Sequence, residues 1–98
     1  LQEIPELDAL EGLIEMAIIE NKINVVNFLE HEFTPHGATL VWILSESHLV
    51  VHTYPEHKYI SIDIYTCGEE GSAINCMEYI REALLVKTYK LNHYKRGI

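Results

Sequence analysis

The chain is short of the residues that several common functions require. Only 7 of its 98 residues are lysine or arginine, against 15 aspartate and glutamate, for a formal net charge of -8. A nucleic-acid partner needs a basic patch that displaces counterions from phosphates, so that class is excluded. An acidic surface is foremost a solubility device, and as a binding surface it favours cations. No run of about 18 apolar residues occurs, so no membrane span is expected. The opening LQEIPELDAL lacks the charged-then-apolar order of a secretory signal, which makes the cytoplasm the expected compartment. Two cysteines, Cys67 and Cys76, form neither a disulfide framework nor a CxxC metal set, so both are expected as free thiols. Low-complexity segments, linkers and internal repeats are also missing, and residues 1–98 read as one domain. A domain of this size buries roughly 60–65% of the surface its unfolded chain exposes, a modest core that self-association would supplement.

What is present is a clear change of period along the chain. Leu7, Leu10, Leu13, Ile14, Ala17 and Ile18 fall at helical spacing within residues 7–20, with Asp8 placed to cap them. From Asn24 to Phe33 the period becomes two, with Val26 and Phe28 set against Asn27 and Leu29. Thr34-Pro35-His36-Gly37 is a turn. Residues 38–46, ATLVWILSE, are apolar enough for a central strand. Leu49–Tyr54 and Tyr59–Thr66 are two further strands, joined as a hairpin by the turn from Pro55 to Lys58. Ser72 is placed to cap a helix running to Lys87, with Ile74, Met77, Ile80, Ala83 and Leu84 as its stripe, and residues 88–95 alternate as an edge strand. Each helix has one apolar stripe to bury. The expected fold is therefore α+β: a two-layer α/β sandwich, an antiparallel sheet with two helices on one face.

Reactive side chains concentrate between Leu44 and Gly68, LSESHLVVHTYPEHKYISIDIYTCG. Ser47 follows a buried-looking strand and is flanked by Glu46 and His48; the ordinary alternative is a hairpin serine bonded to its own backbone. The GxSxG elbow is absent, so generic serine hydrolysis fits poorly. A metal site also fits poorly. His31-Glu32 with His36 misses the HExxH spacing by one residue, and Pro35 breaks the helix that motif needs. His48 and His52 share a strand face but stand about 13 Å apart, too far for one ion. His52 suits an acid or base role near neutrality. Cys67, at a strand end beside Gly68, suits proton transfer, whereas Cys76 lies on the apolar side of a helix as core.

Taken together, these residues resemble the bacterial and archaeal class of S-adenosylmethionine decarboxylase proenzymes, which process themselves to carry a pyruvoyl group. The resemblance covers residues 31–68. It rests on His31, Phe33, Pro35, Gly37 and Thr39; then on Glu46, Ser47, His48, His52, Thr53, Tyr54, Pro55 and Glu56; then on Asp63, Thr66, Cys67 and Gly68. Two departures accompany it. The family opens with a strand ahead of its first helix, which residues 1–6 do not supply, and Tyr54 stands where tryptophan or phenylalanine is usual.

The resemblance implies cleavage between Glu46 and Ser47. Ser47 attacks the Glu46 carbonyl, Thr39 stabilises the tetrahedral intermediate, and His52 takes the α-proton of residue 47. The cofactor is then a pyruvoyl group derived from Ser47, which forms a Schiff base with the substrate's amine while Cys67 donates the final proton. Phe33 is expected to stack on adenine and Glu56 to bind the ribose hydroxyls of S-adenosylmethionine. The family further implies a homodimer with its sites near the interface, and a role in spermidine synthesis. Relatives of this kind that decarboxylate arginine or ornithine leave those substrates open, as does an unprocessed, non-catalytic paralogue. The mechanism also carries a geometric expectation: Thr39, His52 and Cys67 should lie close to the link between residues 46 and 47.

Overall fold

Three successive hairpin connections in one antiparallel sheet set the positions of the motif residues. The computed structural model describes residues 5–45, 47–65, 72–84 and 90. Helix α1 (Leu7–Glu20) is followed by strands β1 (Val25–Glu32), β2 (Ala38–Leu44), β3 (Ser47–Tyr54) and β4 (Tyr59–Tyr65), with a single 3-10 turn at Pro55–His57, and then by helix α2 (Ser72–Ala83). The strands pair in sequence order β1-β2-β3-β4, every pair antiparallel. The architecture is the expected α+β sandwich. The strand expected at 88–95 lies outside the described residues except for Lys90, which has no regular structure.

The sheet has one buried face because β2 and β3 alternate in phase. Ala38, Leu40, Trp42 and Leu44 of β2 and Leu49, Val51 and Thr53 of β3 are buried, together with Leu10, Ile14, Ala17 and Ile18 of α1 and Cys76 and Ile80 of α2. Trp42 is fully enclosed, and its indole N–H is directed at the Glu15 carboxylate, 3.5 Å away on α1. The hydroxyl of buried Thr53 accepts the Ala38 amide hydrogen at 2.9 Å, so this motif threonine fastens the start of β2 to the end of β3. Burial drives the Cys76 thiol up from 9.0 to about 11. Below pH 9 the thiol is neutral whether the chain is folded or not. As the pH rises from 9 to 11 the unfolded chain releases the proton while the folded one keeps it. Stability should therefore fall by about 2 kcal/mol across that window, and Cys76→Ala should flatten the slope in denaturant melts taken from pH 8 to 11.

Several local expectations are corrected. Glu6, not Asp8, occupies the α1 cap position with extended backbone; Asp8 is inside the first turn, where its charge still complements the helix dipole. A bulge between Val25 and Asn27 breaks the period of β1, so Phe28 faces inward against Trp42 at a 4.8 Å centroid distance while Val26 is exposed. The α2 stripe centres on Cys76 and Ile80, and Ala83 is exposed. α2 begins at Ser72 itself, which makes that residue the first of the helix instead of its cap.

The turn at residues 33–37 is held by the Phe33 amide, which donates to the Gly37 carbonyl at 2.7 Å. Gly37 has φ +94°, and a Cβ placed there would lie 2.9 Å from the Thr53 carbonyl oxygen. Backbone cannot yield as a side chain would. Gly37→Ala should cost about 1–3 kcal/mol, read as a lowered denaturation midpoint with an unchanged m-value.

Candidate active site

The motif residues divide between the two ends of the sheet. β2 and β3 pair with Thr39 opposite His52 and Ala38 opposite Thr53 at one end, and with Leu44 opposite Ser47 at the other. Thr39 and His52 are both half-buried on the face that the helices leave open, and the Thr39 hydroxyl meets His52 Nδ1 at 2.9 Å. His31 of β1 stands opposite Thr39 and Ser61 of β4 opposite His52, which completes a polar row across four strands. Phe33, just beyond β1, is 52% exposed and touches the His31 ring edge-on at 4.6 Å between centroids. Glu56 lies on the exposed turn after β3, at the same end. Four of the expected residues, Phe33, Thr39, His52 and Glu56, are thus carried by one edge of the domain.

Ser47 is at the far end. It is the first residue of β3, closer to the turn than expected, because pairing with Leu44 leaves only residues 45 and 46 to connect the strands. Its hydroxyl donates to the Ser45 carbonyl at 3.3 Å, turned back along the preceding chain. That is the ordinary hairpin arrangement, and it also keeps Oγ near the bond it would attack. Five residues of extended strand separate Ser47 from His52, a rise of about 16 Å. The odd spacing also sets them on opposite faces, Ser47 with Leu49 and Val51, His52 with Thr39. The expectation that Thr39 and His52 lie beside the 46–47 link is therefore not met within one chain. Glu46 and Cys67 lie outside the described residues; β4 ends at Tyr65, opposite His48, two residues before Cys67.

Charge is arranged apart from this row. Desolvation, followed by the charges of Glu15, Glu30 and Asp8, raises the Glu11 carboxyl above its ordinary value. These acids belong to α1 and to the helix-facing side of β1, where Glu30 is opposite buried Leu40, so the acidic cluster does not form a cradle beside Thr39 and His52. Among the described residues, no three histidine, cysteine, aspartate or glutamate side chains gather as metal ligands, and no helix is long and apolar enough to cross a membrane.

Two motif pairs are in side-chain contact. His31 and Phe33 meet along one stretch of chain, whereas His48 with Asp63 at 3.2 Å is a cross-strand contact that becomes readable only once register is known.

Comparison with known proteins bears on the same residues. The family model described as S-adenosylmethionine decarboxylase matches residues 2–97. The S-adenosylmethionine decarboxylase proenzyme of a Sulfurihydrogenibium species is 37% identical over 97 residues, covering 99% of this chain and 73% of the relative. The protein of the same description from Persephonella marina is 38% identical over 95 residues, covering 97% of this chain and 71% of the relative. The crystal structure of the adenosylmethionine decarboxylase from Aquifex aeolicus superposes with a TM-score of 0.85 at 34% identity, over 94% of this chain and 76% of that one.

Proposed function

We propose a function that proceeds from one premise: the chain belongs to the S-adenosylmethionine decarboxylase family. It is a carboxy-lyase that removes the carboxyl group of S-adenosylmethionine, and its product serves as aminopropyl donor for spermidine synthesis. The observation that carries the residue assignments is the division of the motif, with Phe33, Thr39, His52 and Glu56 at one end of the sheet and Ser47 at the other. While β3 stays in register, no chain can bring its own imidazole to its own serine. A two-fold homodimer resolves this, because an isologous contact with the two sheets antiparallel sets the Ser47 end of each protomer against the His52 end of its partner and builds two sites at once. The open face has apolar material for such a contact. Leu29 and Ile43 are 54% and 38% exposed there, with Val41 and Val50 half-buried between them.

Processing then follows from groups of the two protomers, with Thr39 and His52 of one acting at Ser47 of the other. Ser47 Oγ bonds to the Glu46 carbonyl carbon and the peptide C–N bond breaks, which leaves an ester. Thr39 donates its hydroxyl hydrogen to the oxyanion. His52 removes the α-proton of residue 47, the ester C–O bond breaks, and Glu46 departs as the carboxylate end of residues 1–46. Water displaces the nitrogen as ammonia and leaves a pyruvoyl group at residue 47. One tautomer of the observed pair serves both roles: with the proton on Nδ1, His52 donates to Thr39 Oγ1, which frees the threonine hydrogen for the oxyanion and leaves Nε2 as the base. When substrate is bound, the pyruvoyl carbonyl supplies an electron sink for decarboxylation. Phe33 offers a ring face to adenine, and Glu56 accepts hydrogen bonds from the ribose hydroxyls. Cys67 returns a proton to the carbon that lost its carboxylate, which requires a protonated thiol. A cytoplasmic setting, where thiols stay reduced, accords with that role.

Intact mass spectrometry of the purified protein tests the reading. Two fragments, residues 1–46 and 47–98, with a carbonyl on the second, and release of carbon dioxide from S-adenosylmethionine in preference to arginine and ornithine, are the expected results. One intact chain without turnover would make this a non-catalytic paralogue.

A further inference from the structure

The histidine after the scissile serine has no part in the chemistry above, yet it too is anchored by a side-chain partner on the neighbouring strand. Among the described residues, His48 is the first of β3 to pair with β4, opposite Tyr65. Its Nε2 meets the Asp63 carboxylate at 3.2 Å, and its ring packs on that of Tyr65 with centroids 5.7 Å apart at a tilt of 35°. Asp63 is opposite Val50, so the bond runs diagonally and ties one rung of the ladder to the next. All three side chains lie on the open face, away from the core that would otherwise hold them.

Cleavage changes what this rung must do. While the chain is whole, the connection through residues 45 and 46 holds Ser47 against Leu44. Once the bond before residue 47 is cut, β3 starts at a free end, and a strand end with nothing to tie it down frays. The group made from Ser47 is itself that end, one residue before the first β3–β4 rung at His48, and each rung that opens moves it by more than a bond length. A catalytic carbonyl displaced by as little as about 1 Å loses rate steeply.

We infer that His48 and Asp63, with the Tyr65 ring, form a clamp that holds the new amino terminus of β3 in register after self-cleavage, so that His48 and Asp63 are positioning residues for the pyruvoyl group. The inference rests on the processing reading above. It assigns the side chains to holding the terminus and gives them no proton to transfer.

The test uses the full chain carrying His48→Ala, Asp63→Ala, both together, or Asp63→Asn, with Ser47→Ala as the uncleaved reference. Expected for each alanine variant is a turnover number about fivefold lower, the scale on which an exposed pair acts, with little change in KM. The double variant should fall no further than either single, because the two side chains are halves of one contact. The Asp63→Asn variant keeps an acceptor for the imidazole N–H and should restore most of the loss. Hydrogen exchange of the amides of residues 48–50 should quicken in the cleaved alanine variants and remain slow when the same substitutions are made on the Ser47→Ala background, where no free end exists. Wild-type turnover in the alanine variants, a double variant whose loss is the product of the singles, or equal exchange in cut and uncut chains would overturn the clamp. Failure of the wild-type chain to cleave would overturn the processing reading instead, a result visible on a denaturing gel before any variant is compared.

Discussion

Alanine at position 47 leaves one uncleaved chain with no carbonyl at an internal terminus and no decarboxylation of S-adenosylmethionine above background. The expected loss is total because, in the proposed processing, the hydroxyl is consumed as a reactant. Its oxygen makes the ester and its carbon skeleton becomes the cofactor, so no neighbouring group can restore a fraction of the activity. Ser45 is the nearest other hydroxyl, but it precedes the bond in question, and its attack would be on the carbonyl of Leu44. Folding should survive the change. Ser47 is half-buried at a strand end, and its hydroxyl makes one long bond to a local carbonyl at 3.3 Å, so the melting transition should move by no more than about 0.5 kcal/mol. A denaturing gel, with a carbonyl-reactive probe applied to the same sample, reads both outcomes. Cleavage between residues 46 and 47 in the alanine variant would remove Ser47 as nucleophile. An unfolded variant would show that the serine holds the hairpin, and Ser47→Gly, which also lacks the hydroxyl, would then be the form to compare.

The layers of this domain are legible in the sequence wherever a period selects one face. In α1, the stripe from Leu7 to Ile18 names the buried residues directly. In α2 it does not, because apolar residue types at 73, 74, 76, 77, 79 and 80 cover more than half the helix circumference, and only packing into the common core decides that Cys76 and Ile80 are central. β1 misleads for a different reason: one bulged residue reverses the phase of everything before it, so Val26 exchanges faces. The continuous apolar run of β2 conceals an alternation. Trp42 is enclosed and Ile43 exposed, a distinction between two residues of similar hydrophobicity that depends on which side carries the helices.

For the site, residue type was legible and convergence was not. Thr39 precedes Ser47 by eight positions and His52 follows it by five, and a list of spacings suggests a cluster around the serine. The hairpin centred on residues 45 and 46 folds the chain so that Thr39 meets His52 while both move away from the turn. Sequence distance from Ser47 becomes distance along the strand. The two ends of the sheet therefore hold complementary parts of one motif, and the acidic cluster around Glu11, on the helix-facing side, belongs to neither.

That complementarity makes the proposed homodimer testable without a structure of it. Chains carrying Ser47→Ala and chains carrying His52→Ala should each be inactive alone, the first uncleaved and the second halted at the ester, from which hydroxylamine releases the fragments. Coexpressed and assembled together, they should recover activity. If each site takes its serine from one protomer and its imidazole from the other, a mixed dimer has one intact site and one that lacks both groups. With random pairing half of the dimers are mixed, so about a quarter of the wild-type sites are restored. The cleaved chain in that mixture should be the one carrying His52→Ala, since it retains the serine, and differential tagging identifies it on a gel. A site built within a single chain predicts the opposite, because every site would then carry one defect and mixing would recover nothing. The measurement also separates geometry from chemistry. Recovery identifies His52 as acting on the partner's serine and not on its own, which lies about 16 Å along the same strand, whereas no recovery with intact single-variant phenotypes would mean that β3 leaves its register to bring the two together.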